Sequence, residues 1–140
     1  IEPAAETAME AVIIDSLEAQ GETILLADDE LHVRETTAEV LQSMGYKVLQ
    51  AKDGLEAVEL FKAHHGEISL AILDVVMPHL GGMPLGKRLR GIDCEIPLIF
   101  VTGYDKDHVL GGGEQMHDSE ILSKPVNFDV LNHSIRQLLD

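Results

Sequence analysis

Short apolar runs alternate with longer stretches in which apolar residues recur at helical spacing, and this alternation limits the fold more than any other feature. The runs cover residues 24–27, 48–49, 70–73, 97–101 and 120–123, and amphipathic stretches separate them. Strands that are apolar throughout and joined by helices are typical of a parallel sheet covered on both faces. The pattern predicts an α/β fold, a doubly wound five-stranded parallel sheet in a single domain.

Capping residues mark where several of the helices begin and end. The stretch 31–44 stops at Gly45, and Asp53 with Glu56 three positions later forms an N-terminal cap signal. Asn127 caps the last stretch, whose apolar residues Leu131, Ile135 and Leu138 share one face. These signals support the order strand, helix, strand along the chain.

The first 22 residues differ from the rest of the 140-residue chain, because they contain six acidic residues and no basic ones. Residues 4–19 have helix-forming composition, and Ala5, Met9, Val12 or Ile13, and Leu17 share a stripe. We interpret residues 1–22 as a linker or lead-in helix and residues 23–140 as the folded domain. A disordered segment is the alternative.

The charge balance and the apolar content exclude several classes of partner. There are 25 acidic and 10 basic residues, a net charge of −15, and only Lys87, Arg88 and Arg90 form a tight basic group. Nucleic-acid binding needs clustered cations, so we expect no nucleic-acid partner.

No apolar run approaches the ~20 residues of a membrane span, and Cys94 is the single cysteine. A cytoplasmic domain without membrane contact is expected.

Polar residues stand where four of the predicted strands end. They are Asp28 and Asp29, Asp74, Thr102, and Lys124. Ligands of doubly wound sheets bind at the carboxyl ends of the strands, so these side chains should form one site. Three neighbouring carboxylates repel one another, and oxygen ligands without His or Cys suit Mg²⁺.

A carboxylate, a magnesium ion and a lysine together suit phosphoryl transfer. Asp74 ends the central apolar strand, where burial on both sides would fix its position, and it is the best candidate nucleophile. Mg²⁺ and Lys124 would neutralise charge on the transferring group.

The sequence resembles the receiver domain of two-component response regulators over about residues 23–140. The matching pieces are residues 25–30 (LLADDE), 72–78 (ILDVVMP) with Gly82 eight positions after Asp74, 100–103 (FVTG) and 123–125 (SKP). The resemblance implies a flavodoxin-like fold and a signalling domain that is not itself an enzyme.

The resemblance also assigns roles to single residues. Asp74 is then the phosphoacceptor, Asp28, Asp29, Asp74 and the backbone carbonyl of Val76 hold Mg²⁺, and Thr102 and Lys124 bind phosphoryl oxygens. The Lys124–Pro125 bond is expected to be cis. The implied donor is a histidine kinase, separate or fused in the same chain as in a hybrid kinase, and a histidine phosphotransfer protein is a further implied partner.

Three features depart from the family pattern. Ile121 stands where receivers usually carry Tyr or Phe, so the aromatic half of the phosphorylation switch is missing. Val76 and Tyr104 occupy positions that tune phosphoryl lifetime, and neither orients water, which predicts slow self-dephosphorylation. Three glycines at 111–113 predict a short or mobile helix after Asp105.

Two other functions are compatible with parts of the pattern. A degenerate receiver would act only as a constitutive interaction module. A magnesium-dependent hydrolase of the haloacid dehalogenase type also uses a strand-end Asp, but it needs a second Asp where Val76 stands.

Overall fold

A computed structural model describes residues 21–103 and 117–140 of the chain. Its strands are β1 (Thr23–Ala27), β2 (Lys47–Ala51), β3 (Ile68–Asp74), β4 (Leu98–Thr102) and β5 (Ser119–Ser123). Its helices are α1 (Leu31–Ser43), α2 (Gly54–Ala63), α3 (Gly82–Ile92) and α4 (Phe128–Leu139). The expectations for Tyr104, for the helix after Asp105 and for residues 4–19 lie outside these ranges.

The five strands form one parallel sheet in the order β2-β1-β3-β4-β5. The strand order reverses between β1 and β3, which is where doubly wound sheets bind ligands. The predicted fold is confirmed, and the strand positions agree with the predicted runs to within a few residues.

Each face of the sheet carries its own apolar layer. Phe61 of α2 and Leu85 and Leu89 of α3 pack on one face, with Leu25, Leu73 and Phe100 of the sheet. On the other face Leu41 of α1 and Leu131 and Ile135 of α4 pack against Ile24 and Ile72. Burial on both faces explains why the central residues of β1, β3 and β4 are apolar.

The two predicted caps are present. The Asp53 carboxylate accepts a hydrogen bond from the Glu56 backbone N–H at 2.8 Å, at the start of α2. The Asn127 side-chain oxygen accepts from the N–H groups of Asp129 and Val130 at the start of α4.

A buried polar network that the sequence did not reveal joins the start of β1 to α4. The Arg136 guanidinium, only 8 % exposed, lies 2.7 Å from a Glu22 carboxylate oxygen and 2.7 Å from one of Asp140. Tyr46 packs in the apolar layer between the sheet and α4, and its hydroxyl donates to Asn132 Oδ1 at 2.7 Å. These contacts fasten the first residues of the described domain to its last helix.

None of the four helices in residues 21–103 and 117–140 has the length and apolar character needed to cross a membrane.

Gly82 allows α3 to begin directly against β3, and its replacement should be costly. A Cβ there would press on the Asp74 carbonyl oxygen and lie 2.9 Å from the Asp74 carbonyl carbon, and both are backbone atoms rather than the end of a flexible side chain. We expect Gly82→Ala to lower the free energy of unfolding by roughly 1–3 kcal/mol, measured by urea denaturation. Gly91→Ala in the same helix is the matched control, because nothing lies within 4 Å of its Cβ. The control should be stabilising by about 0.4–1 kcal/mol, and equal effects at both positions would contradict the expected clash.

Candidate functional site

The sheet brings the predicted polar residues to one edge. Asp74 is the last residue of β3 and Thr102 the last of β4, while Asp28 and Lys124 directly follow β1 and β5. The register pairs Ala27 with Leu73 and Thr102 with Ser123, so these strand ends are level with one another.

The three predicted carboxylates form a compact cluster. One oxygen from each of Asp28, Asp29 and Asp74 lies within 4.8 Å of the others. Asp28 and Asp74 are both 6 % exposed, whereas Asp29 is open to solvent. Two buried acids and one exposed acid leave the cluster accessible from one side.

Lys124 lies between the two buried acids. Its Nζ is 3.3 Å from Asp74 Oδ2 and 3.7 Å from Asp28 Oδ2. Its backbone N–H donates to the Thr102 carbonyl at 2.7 Å, and the Lys124–Pro125 bond is cis as predicted. Burial lowers the pKa of Lys124, but the charges of Asp28 and Asp74 outweigh it and raise the pKa, so the ammonium stays charged.

The surroundings of Asp74 disfavour the charged form of its carboxyl group. Burial and then the charge of Asp28 raise its pKa to about 6, although Lys124 and the Val76 N–H, 3.3 Å from Oδ1, act in the opposite direction. As the pH falls, Asp74 is therefore protonated at a higher pH than an ordinary aspartate.

Asp28 is positioned by contacts that the sequence did not single out. Its Oδ1 accepts a hydrogen bond from the Glu30 N–H at 2.9 Å. Its carbonyl oxygen accepts from Arg34 Nη1, also at 2.9 Å, so the first turn of α1 holds the end of β1. No sequence motif marks Arg34, because its contact with the Asp28 carbonyl depends on where α1 begins.

The remaining predicted residues lie at or beside the cluster. Thr102 is fully buried at the end of β4, and Val76 is 55 % exposed in the connection after Asp74. Ile121 is buried in the apolar layer under α2 and α3, so it packs as a core residue.

The donor set fits a hard divalent cation. Three carboxylates within 4.8 Å supply oxygen ligands only, and the exposed Asp29 leaves room for water and phosphate oxygens. In the parts of the chain that the structure describes, this is the one such cluster of potential metal ligands.

Fold and site together define a class: a doubly wound α/β domain with a cluster of acidic residues and a paired lysine at the carboxyl edge of its sheet. Comparison with known proteins agrees, because the family model for the response regulator receiver domain matches residues 24–136. The chain belongs to the response regulator receiver family of two-component systems.

Similar proteins include both fused and separate receivers. The chain is 35 % identical over 118 residues to the sensor kinase CckA of Brucella abortus, covering 84 % of this chain but 12 % of that protein. It is 30 % identical to the response regulator receiver protein CpdR of Brucella abortus, covering 83 % of this chain and 95 % of CpdR.

A solved structure of similar fold is that of TrrA from Thermotoga maritima, a response regulator in complex with Mg²⁺-BeF. It is 30 % identical, covers 84 % of this chain and 99 % of TrrA, and has a TM-score of 0.71.

Proposed function

We propose that this receiver accepts a phosphoryl group on Asp74 in a Mg²⁺-dependent reaction and thereby changes its signalling surface. The observation that carries the proposal is the position of Lys124 Nζ, 3.3 Å from Asp74 and 3.7 Å from Asp28 beside the three-carboxylate cluster. A cation fixed at a nucleophilic carboxylate is what phosphoryl transfer requires.

The proposed donor is the phosphohistidine of a histidine kinase. An Asp74 carboxylate oxygen forms a bond to phosphorus while the phosphorus–nitrogen bond of the phosphohistidine breaks. The electron pair of the broken bond remains on the imidazole nitrogen, and the imidazole then takes up a proton. Asp28, Asp29, Asp74 and the Val76 carbonyl would hold the Mg²⁺, which when bound offsets the negative charge of the transferring group. Lys124 and the Thr102 hydroxyl would bind phosphoryl oxygens.

The relatives include both a sensor kinase and a separate receiver protein. CckA is a sensor kinase that contains a matching segment, and CpdR is a receiver protein of nearly the same length as this match. We propose a histidine kinase, in the same chain or separate, as donor, and a histidine phosphotransfer protein as a further partner.

Phosphorylation would act as a local electrostatic switch. The phosphoryl group adds a charge of about −1.5 to −2 beside the buried Thr102, which should draw the hydroxyl and the end of β4 towards Asp74. Because Ile121 packs in the core, the output change would not use an inward-turning aromatic ring. The surface around β5 and its flanking segments is the proposed readout.

Incubation with acetyl phosphate and Mg²⁺, read by intact mass, tests the proposal. The wild-type chain should gain the mass of one phosphoryl group, and chelation of Mg²⁺ should abolish the gain. Asp74→Ala should gain nothing, whereas the exposed control Asp129→Asn should behave like wild type. An unmodified wild-type chain would instead favour a constitutive interaction module, and a phosphoryl group that survives Asp74→Ala would place the acceptor elsewhere.

The phosphorylated chain should lose its phosphoryl group slowly. Val76 sits exposed at the mouth of the site and its side chain cannot orient an attacking water. After removal of donor, we expect a half-life of many minutes or longer, and Val76→Asn should shorten it. Intact mass followed over time measures both rates, and a wild-type half-life of seconds would contradict the prediction.

A further inference from the structure

Arg34, in the first turn of α1, joins three elements beside the acidic cluster. Its Nη1 donates to the backbone carbonyl of Asp28 at 2.9 Å, just after β1, and its Nε donates to Gln50 Oε1 of β2 at 3.3 Å. Its backbone N–H donates to the Glu30 carbonyl at 2.9 Å, within the same turn of the helix. One half-buried side chain therefore connects α1, the end of β1 and β2.

The register of the sheet places Gln50 for this contact. Gln50 is paired with Leu26 of β1, and side chains paired in this way point to the same face of a parallel sheet. Leu26 belongs to the apolar layer that α1 and α4 cover, so the Gln50 amide projects on the side of α1. The bond from Nε to this amide orients the guanidinium, whose Nη1 then reaches Asp28.

The group that Arg34 holds is the peptide shared by two of the three clustered acids. The Asp28 carbonyl oxygen lies in the plane of the bond that joins Asp28 to Asp29, so fixing the oxygen also fixes where Asp29 begins. Asp28 is held at two further points, because its N–H donates to the Ala51 carbonyl at 3.1 Å and its Oδ1 accepts from the Glu30 N–H at 2.9 Å. Asp29 is exposed, so its carboxylate depends on this backbone for its position.

The two bonds of the Arg34 side chain need a guanidinium. Both acceptors, a backbone carbonyl and a side-chain amide, are neutral, so the contact depends on direction more than on charge. A guanidinium carries its N–H donors in one rigid plane and can point two of them at separate acceptors. A lysine ammonium at the same position would keep the charge without this geometry.

We propose that Arg34 is a positioning residue for the Mg²⁺ site and that Gln50 acts through it. By holding the Asp28–Asp29 peptide, Arg34 keeps the two carboxylates at the distance from Asp74 at which one cation can contact all three. Groups that orient metal ligands from outside commonly contribute about 10–100-fold to metal affinity. This inference rests on the proposed Mg²⁺-dependent function and names residues that support its metal site.

The Mg²⁺ affinity of the unphosphorylated full chain tests the proposal. It is measured from the rise of the urea midpoint with Mg²⁺ concentration. Arg34→Met should raise the Kd for Mg²⁺ about tenfold or more. Arg34→Lys keeps the charge but cannot form both bonds, and it should raise the Kd roughly threefold or more.

Arg88→Met is the matched control, because it removes an exposed arginine from α3 on the other face of the sheet. Its charge is screened from the site, so its Kd should stay within about twofold of wild type. An Arg34→Met variant that binds Mg²⁺ as tightly as this control would overturn the proposal. Wild-type affinity in Arg34→Lys would also overturn it, since charge alone would then account for the effect.

A double-mutant cycle tests the role of Gln50. Gln50 is exposed, so Gln50→Met should fold like wild type and raise the Kd for Mg²⁺ roughly threefold. In the Arg34→Met background the same change should have no further effect, because Gln50 acts only through the guanidinium. Additive effects of the two changes would contradict this coupling.

The rate of phosphorylation by acetyl phosphate separates positioning from transfer. Arg34→Met should gain mass more slowly than wild type at limiting Mg²⁺ and at the wild-type rate when Mg²⁺ is saturating. A defect that persists at saturating Mg²⁺ would overturn a role limited to the metal ligands. Failure of the proposed function is distinguishable, because a wild-type chain whose urea midpoint ignores Mg²⁺ would lack the metal site altogether.

Discussion

Replacing Lys124 by Met should slow phosphorylation of the receiver by acetyl phosphate on the order of 10²–10³-fold. The reason is electrostatic, because Nζ lies 3.3 Å from the Asp74 oxygen, where negative charge on the transferring group develops. In enzymes, the removal of one such fixed donor costs about that factor in rate. The initial rate of mass gain, at saturating Mg²⁺, is the measurement.

Lys52→Met provides the matched control for Lys124→Met. It removes the same charge from an exposed position before α2, so its rate should equal that of wild type. If Lys124→Met stays within about threefold of the control, then Lys124 acts only as a counter-ion of the resting site and not in transfer.

Replacing Asp74 by Asn should make the metal-free protein more stable at neutral pH. Burial, and then Asp28, raise the pKa of Asp74 from 3.8 to about 6, so the folded protein binds this proton more tightly than the unfolded chain does. The stability from that proton is complete below about pH 4 and is lost as the pH rises through about 6. Each unit of pKa corresponds to about 1.4 kcal/mol, so the variant should gain up to about 3 kcal/mol at pH 7.5.

Urea denaturation in the presence of chelator measures this gain. It should shrink towards zero at pH 4, where the wild-type carboxyl is also neutral. Asp129→Asn removes an exposed acid at the start of α4 and should change the free energy of unfolding by less than about 0.5 kcal/mol at either pH. An Asp74→Asn gain that is independent of pH, or a loss at pH 7.5, would contradict the account. Added Mg²⁺ should stabilise wild type more than the variant.

Much of the fold was predictable because the local signals agree with one another. Apolar runs at β1, β3 and β4, the caps Asp53 and Asn127, and Gly45 each point to the same element order. The strand-end positions of Asp28, Asp74 and Lys124 followed directly, since in a parallel sheet all carboxyl ends share one edge.

Contacts between distant elements were not predictable in this way. Arg136 is one of ten scattered basic residues in the sequence, yet it is buried between Glu22 and Asp140 because α4 lies beside the start of β1. Arg34 likewise gains its contact with the Asp28 carbonyl only when α1 is in place.

The sequence by itself determined the class of fold, the family and the membership of the acidic site, because these depend on periodicity and on residues at the ends of strands. Only the tertiary structure decided the electrostatics of that site and the buried ion pair of Arg136 with Glu22. The pKa of Asp74 depends on how deeply it is buried and how near Asp28 and Lys124 lie, and the burial of Arg136 depends on α4 lying beside Glu22 at the start of β1. Both are distances between elements, which no local pattern along the chain encodes.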